Sequence, residues 1–151
     1  MNEDESEFGG VAGGGMSEAT ISIRANPGPQ EMFLATTADV ALFGGAAGGG
    51  KSMALLMQPL AHVDNPNFGS IIFRRIFPSV RGIIERSREI FSGTQETRST
   101  DSFNEQLHLW RLRGGQTIEF AAMQHEKDKE KYRGRPHDFY GFDELTEFTE
   151  S

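Results

Sequence analysis

Apolar residues in this chain come in short runs separated by polar, charged or glycine-rich stretches. Phe33 and Leu34 follow the turn residues Pro27, Gly28 and Pro29, a pattern that predicts a short helix over about Gln30–Thr36 with those two side chains inward. Val40–Phe43 is an apolar run ended by glycines, the form of a buried parallel strand. From Lys51 to about His62, Met53, Leu56, Met57 and Leu60 share one helical face. A loop at residues 64–67 leads into Ser70–Ile76, which is β-rich and reads as a second buried strand. Pro78 suits the first turn of a helix reaching about Phe91, with Val80, Ile83, Ile84 and Ile90 as its apolar positions.

Beyond that helix, residues 92–105 are polar and loop-like. Leu107–Leu112 and Gln116–Ala121 flank Gly114-Gly115, a two-residue turn signal that predicts a β-hairpin. Residues 124–132 are charged and read as a surface helix or loop, and Phe139–Phe142 is a further apolar strand ending at Asp143-Glu144. There is no internal repeat. Strand, helix, strand, helix and a late strand imply an α/β fold with a mainly parallel sheet flanked by helices.

Composition alters this picture at one end. Residues 1–23 hold five acids, five glycines and no Lys or Arg, a stretch too polar to offset its ordering entropy, so it is expected to be a disordered tail. It carries five of the seven net negative charges, and residues 24–151, the expected domain, are close to neutral. A net acidic chain therefore does not exclude a partner rich in phosphate. The absence of cysteine excludes disulfides, thiolate metal sites and a Cys nucleophile. No apolar run approaches the roughly 20 residues of a membrane span, and the acidic N-terminus is unlike a signal peptide. The expectation is a soluble protein of a reducing compartment, with no membrane partner.

The most specific chemistry lies at Gly45-Ala46-Ala47-Gly48-Gly49-Gly50-Lys51-Ser52, which satisfies G-x-x-x-x-G-K-[ST] between an expected strand and an expected helix. Glycines let backbone N–H groups turn inward around phosphate oxygens, and a helix N-terminus adds its positive dipole end. In such a Walker A loop Lys51 reaches the β- and γ-phosphates of ATP and the Ser52 hydroxyl ligates Mg²⁺. Asp143 and Glu144, at the end of an apolar strand, supply the Walker B complement: Asp143 to the Mg²⁺ shell, Glu144 as general base toward the attacking water.

These residues together resemble a family, the large terminase subunit of tailed bacteriophages, an ATPase that packages DNA. The resemblance rests on Gly44–Ser52, the upstream Gln30, Ile72-Phe73-Arg74-Arg75 with Pro78, and Gly141-Phe142-Asp143-Glu144-Leu145-Thr146-Glu147-Phe148, and it spans about Gln30 to Phe148. It implies a P-loop NTPase of the additional-strand, catalytic-glutamate type, ending just after the Walker B strand and without the family's C-terminal nuclease domain. By resemblance Gln30, on its own a surface turn residue, becomes the adenine-recognising glutamine. Arg133, with Arg135 as second choice, takes the position of the arginine finger that a neighbouring subunit inserts. The family further implies a homo-oligomeric ring, double-stranded viral DNA, portal protein and small terminase subunit as partners, and the host cytoplasm and procapsid portal as location. Two alternatives stay open: another P-loop ATPase of helicase type, or a nucleotide-binding fragment without turnover.

Other groups carry less. His62, His108, His125 and His137 lack metal-ligand spacing and read as surface or boundary residues. Trp110, with Leu112, Ile118 and Phe120, reads as hairpin packing. Arg74, Arg75, Arg81, Arg86 and Arg88 against Glu85 give residues 71–88 a charge of +4, by default a solvated helix face, although Arg74 or Arg75 at a strand end could approach a nucleotide.

Overall fold

The computed structural model describes residues 23–46, 48, 50–91 and 103–148. The expected tail lies outside them apart from Ile23, as do residues 92–102 of the polar stretch. The elements are α1 (Pro29–Leu34), α2 (Lys51–Met57) running into a 3-10 segment (Gln58–His62), β1 (Gly69–Arg74), α3 (Phe77–Phe91), β2 (Phe103–Asn104), β3 (Leu109–Arg111), β4 (Thr117–Ala122), a 3-10 segment (Glu126–Tyr132), β5 (Phe139–Phe142) and a last 3-10 turn (Leu145–Glu147). Among the described residues no helix is long and apolar enough to cross a membrane.

The five strands form one sheet in the order β2-β3-β4-β1-β5. The central strand β1 is parallel to both neighbours, with Ile72 opposite Phe120 of β4 and Gly141 of β5. Its run Ile71-Ile72-Phe73 is buried throughout, as a strand covered on both faces requires. β3 is antiparallel to β4 and to β2, so the sheet is mixed rather than mainly parallel. The physical cause is the Gly114-Gly115 turn, which folds β3 back against β4. Expected as loop, Phe103 and Asn104 form the short edge strand, because the Asn104 side chain accepts the N–H groups of Gln106 (3.0 Å) and Leu107 (2.9 Å) and turns the chain into β3. That turn also takes Leu107 and His108 out of the expected hairpin strand.

Two further expectations are corrected. Helix α2 stops at Met57 and tightens to 3-10 geometry, since Pro59 has no N–H to give Leu55. Val40–Phe43 is not a strand: it pairs with nothing in the sheet, and Val40 and Leu42 are 81% and 80% exposed. The edge strand β5 is covered by a helix on one face only, leaving Tyr140 and Phe142 exposed on the other. A four-residue strand alongside would gain cover on one side while losing about 1–2 kcal/mol of backbone entropy per residue. Phe43 stacks instead on Phe33 of α1 at 5.4 Å.

Strand alternation separates two clusters. Ile72, Ile118 and Phe120 pack with Leu56 of α2 and with Val80, Ile83, Ile84 and Phe91 of α3. Ile71, Phe73 and Ala121 face the other way, against Tyr132, Met123 and Phe148. Trp110 packs in the hairpin as expected, edge-on to Phe91. Its Nε1–H donates to Ser87 Oγ at 2.8 Å, and Ser87 in turn donates to the Ile84 carbonyl, so this buried hydroxyl joins the hairpin to α3.

Candidate functional site

β1 and β5 run parallel with Phe73 opposite Phe142, so the residues that follow, Arg74 and Asp143, leave the same edge of the sheet side by side. The Asp143 N–H continues the ladder to the Phe73 carbonyl at 2.9 Å. Helix α2 lies close over this edge because position 141 has no side chain: a Cβ there would meet Leu55, Phe139 and Ile72. The first turn of α2 is thereby brought to β5. Ser52 Oγ lies 2.8 and 3.0 Å from the two Asp143 carboxylate oxygens and donates into them, joining residues 91 positions apart in sequence.

A third group shares that carboxylate. Arg74 donates from Nε (2.9 Å) and Nη2 (2.6 Å) to Asp143 Oδ2, and from Nη1 to the Ser79 carbonyl (3.0 Å) at the start of α3. The two side chains are only 14% and 3% exposed, so this is a buried ion pair. Its value is conditional: removing one partner would leave the other charge desolvated. Glu144 Oε1 lies 3.8 Å from Arg74 Nη2. Glu144 sits in the left-handed region at φ 57°, ψ 49°, which costs a non-glycine residue about 1–2 kcal/mol. That turn separates the two acids, Asp143 buried and Glu144 44% exposed at the site's open side.

The Gly45–Ser52 loop rises beside them. Gly48 and Gly50 have φ of +82° and +75°, which glycine adopts without the Cβ penalty of other residues. Lys51 Nζ donates to the carbonyls of Gly45 (2.8 Å) and Ala46 (2.7 Å), so the loop curls around its own lysine. Ala47 and Gly49, also expected in the loop's phosphate contacts, lie outside the described residues. Gln30 is not a surface turn residue: it is 3% exposed, its Oε1 accepting the Asn26 N–H (2.6 Å) and its Nε2 donating to the Gly50 carbonyl (2.9 Å). It braces the last glycine of the loop from behind.

The two arginines before β5 differ sharply. Arg135 is tied to Glu119 of β4 at 2.7 Å and lies over the Tyr132 ring. Arg133 is 81% exposed, and among the described residues its guanidinium has one polar partner, Glu130 at 3.4 Å. The Arg74–Arg88 cluster is likewise not one solvated face. Arg86 pairs with Glu89 and Arg88 with Glu105, while Arg74 turns into the site.

Among the described residues no group of three or more His, Cys, Asp or Glu could cage a metal. The hydroxyl of Ser52 and the carboxylate of Asp143 are hard oxygen donors, and two such groups suit Mg²⁺, which takes few protein ligands and completes its shell with phosphate and water. Arg74 is the residue that the sequence only half disclosed. The alternation 70, 72, 74 places it on the helix-covered face, but its meeting with Asp143 needs the β1–β5 register, which no local pattern carries.

The family model described as terminase large subunit, T4likevirus-type, N-terminal, matches residues 42–151. It takes in the loop, Arg74 and both acids, and begins after Gln30. Nothing among curated proteins or solved structures matches the chain.

Proposed function

The chain belongs to the terminase large-subunit family, and from that premise we propose that it is a magnesium-dependent ATP-binding and hydrolysing domain serving the packaging of viral DNA. The observation that carries this reading is the convergence of Ser52 and Asp143 at 2.8 Å beside the glycine loop. Such an oxygen pair would hold Mg²⁺, whose charge would screen the phosphates. Lys51 would leave the carbonyls of Gly45 and Ala46 for the terminal phosphates, exchanging neutral acceptors for anionic ones. Glu144, exposed on the open side, would hold the water proton on its carboxylate as attack proceeds. Gln30, by bracing Gly50, would fix the loop's curvature, and to read adenine its amide would have to turn away from Asn26 and Gly50. Arg133 would serve a neighbouring subunit's site in a homo-oligomeric ring, with double-stranded DNA, the portal and the small subunit as partners at the procapsid in the host cytoplasm.

Calorimetric titration of the chain with Mg–ATP, together with phosphate release, tests the core of this reading. Lys51→Ala should abolish measurable binding. Glu144→Gln should bind ATP normally while turnover falls about 10²–10⁴-fold, the usual span of a general base. Unchanged affinity in Lys51→Ala would refute the phosphate loop, and unchanged turnover in Glu144→Gln would refute the base.

A further inference from the structure

Asp143 Oδ2 accepts three hydrogen bonds, from Ser52 Oγ (2.8 Å), Arg74 Nε (2.9 Å) and Arg74 Nη2 (2.6 Å). A carboxylate has about four lone-pair sites over its two oxygens. Oδ2 is fully engaged, while Oδ1 accepts only the shared Ser52 hydroxyl (3.0 Å), so charge rather than lack of a lone pair decides what a cation meets here. The two partners are not equivalent toward an arriving cation. A serine hydroxyl can donate its proton to the carboxylate and offer a lone pair to a metal together. A guanidinium has donors only and a permanent positive charge. In a site where the pair is nearly buried, that charge strongly repels a dication a few ångströms away. Arg74 is therefore the group that must yield. Its route is short: Nη1 is anchored on the Ser79 carbonyl at 3.0 Å, and Nη2 is 3.8 Å from Glu144 Oε1.

Building on the proposed nucleotide site, we propose that Arg74 is the resident counter-ion of Asp143, displaced by the divalent cation that accompanies a nucleotide and handed to Glu144. Arg74 is thus a positioning residue. It keeps the buried carboxylate paired before the metal arrives, and it couples metal arrival to the orientation of the exposed acid.

The test is ADP affinity of the full chain, measured by calorimetry over a series of MgCl₂ concentrations, for the wild type, Arg74→Gln and Arg74→Lys. Competition predicts that Arg74→Gln lowers the Mg²⁺ concentration giving half of the affinity gain, by about tenfold for the loss of one nearby unit charge. Arg74→Lys, which keeps the charge but loses the fork, should shift it less in the same direction. In metal-free buffer the melting temperature of Arg74→Gln should fall, and Mg²⁺ alone should recover more of it than in the wild type. If the glutamine variant does not fold, the lysine variant decides by the direction of its shift. An unchanged or raised Mg²⁺ requirement would overturn the proposal and make Arg74 a fixed support for Asp143. Mg²⁺-independent ADP binding by the wild type would overturn it while leaving the nucleotide site standing; no ADP binding at all would defeat both.

Discussion

Asp128 shows how much one carboxylate can organise. Its Oδ2 accepts the N–H groups of Gln124 (3.0 Å) and His125 (2.8 Å), and its Oδ1 lies 2.9 Å from Lys131 Nζ. The Lys131 hydrogen bond first, and the backbone donors with it, hold the carboxyl from an ordinary 3.8 down to about 2. A depressed folded pKa means that the stabilisation is complete above about 3.8 and is lost as pH falls through 2. Melting curves between pH 7 and pH 2 should therefore show Asp128→Asn less stable than the wild type at neutral pH, with the two converging in acid. Parallel curves would mean that the carboxylate does not fix this segment. Nothing in the sequence singled Asp128 out, because an acid in a charged stretch looks like any solvated one. Ser52 and Asp143, which the fold brings together, stood out in the sequence for the opposite reason: each stands at a fixed offset from glycines or from the end of an apolar run. Gln30 was misjudged when read alone, since burial 20 residues away against Gly50 leaves no local trace.

Between elements the decisive contact is α2 against β5, and it depends on Gly141. A Cβ there would lie 3.1 Å from Phe139 and 3.4 Å from Ile72, and would collide with the tip of Leu55. The Leu55 tip can swing aside, but Phe139 and Ile72 must also give, and the crowding presses on α2, which carries Ser52 toward Asp143. Gly141→Ala should cost about 1–3 kcal/mol of stability by overpacking and weaken nucleotide binding as the Ser52–Asp143 contact opens. Chemical denaturation and calorimetry on one preparation would separate the two effects; normal stability and affinity together would show that the helix does not need this close approach. Strands and helices were legible where apolar periodicity was long or a run was buried on both sides, as in α3 and β1, and β5 was marked by its apolar run alone. Val40–Phe43 formed no strand because periodicity reports a segment's own composition, and a strand also needs a paired neighbour, which no local pattern supplies. The mixed sheet followed from the hairpin, which the Gly114-Gly115 signal had marked, though its consequence for strand direction emerges only when β4 joins β1.

At the scale of the molecule, helices α2 and α3 cover one sheet face, while among the described residues Met123, Tyr132 and Phe148 pack on the other, beside a groove of about 410 Å³ lined by Phe73, Phe142 and Arg133, among others. The Tyr132 ring stands edge-on to Phe73 at 4.9 Å, so the chain just before Arg133 is fixed to the sheet. Glu119 then holds Arg135 at 2.7 Å, so the chain just after is fixed as well. Arg133 projects between two anchored points with one weak contact of its own. A weakly held, exposed cation between anchored points fits the proposed role in a neighbouring subunit better than Arg135, which Glu119 holds. If it completes the site of an adjoining subunit, Arg133→Ala and Glu144→Ala proteins should each be inactive alone for different reasons. A mixed assembly should regain ATP turnover, because a Glu144→Ala subunit still offers its arginine to a neighbour whose Glu144 is intact. Mixing at increasing ratios, with co-assembly verified by sedimentation, measures this directly. Turnover that stays at background in verified mixed assemblies would place the arginine's role within its own chain, and a matching rescue by Arg135→Ala would transfer the assignment to that residue.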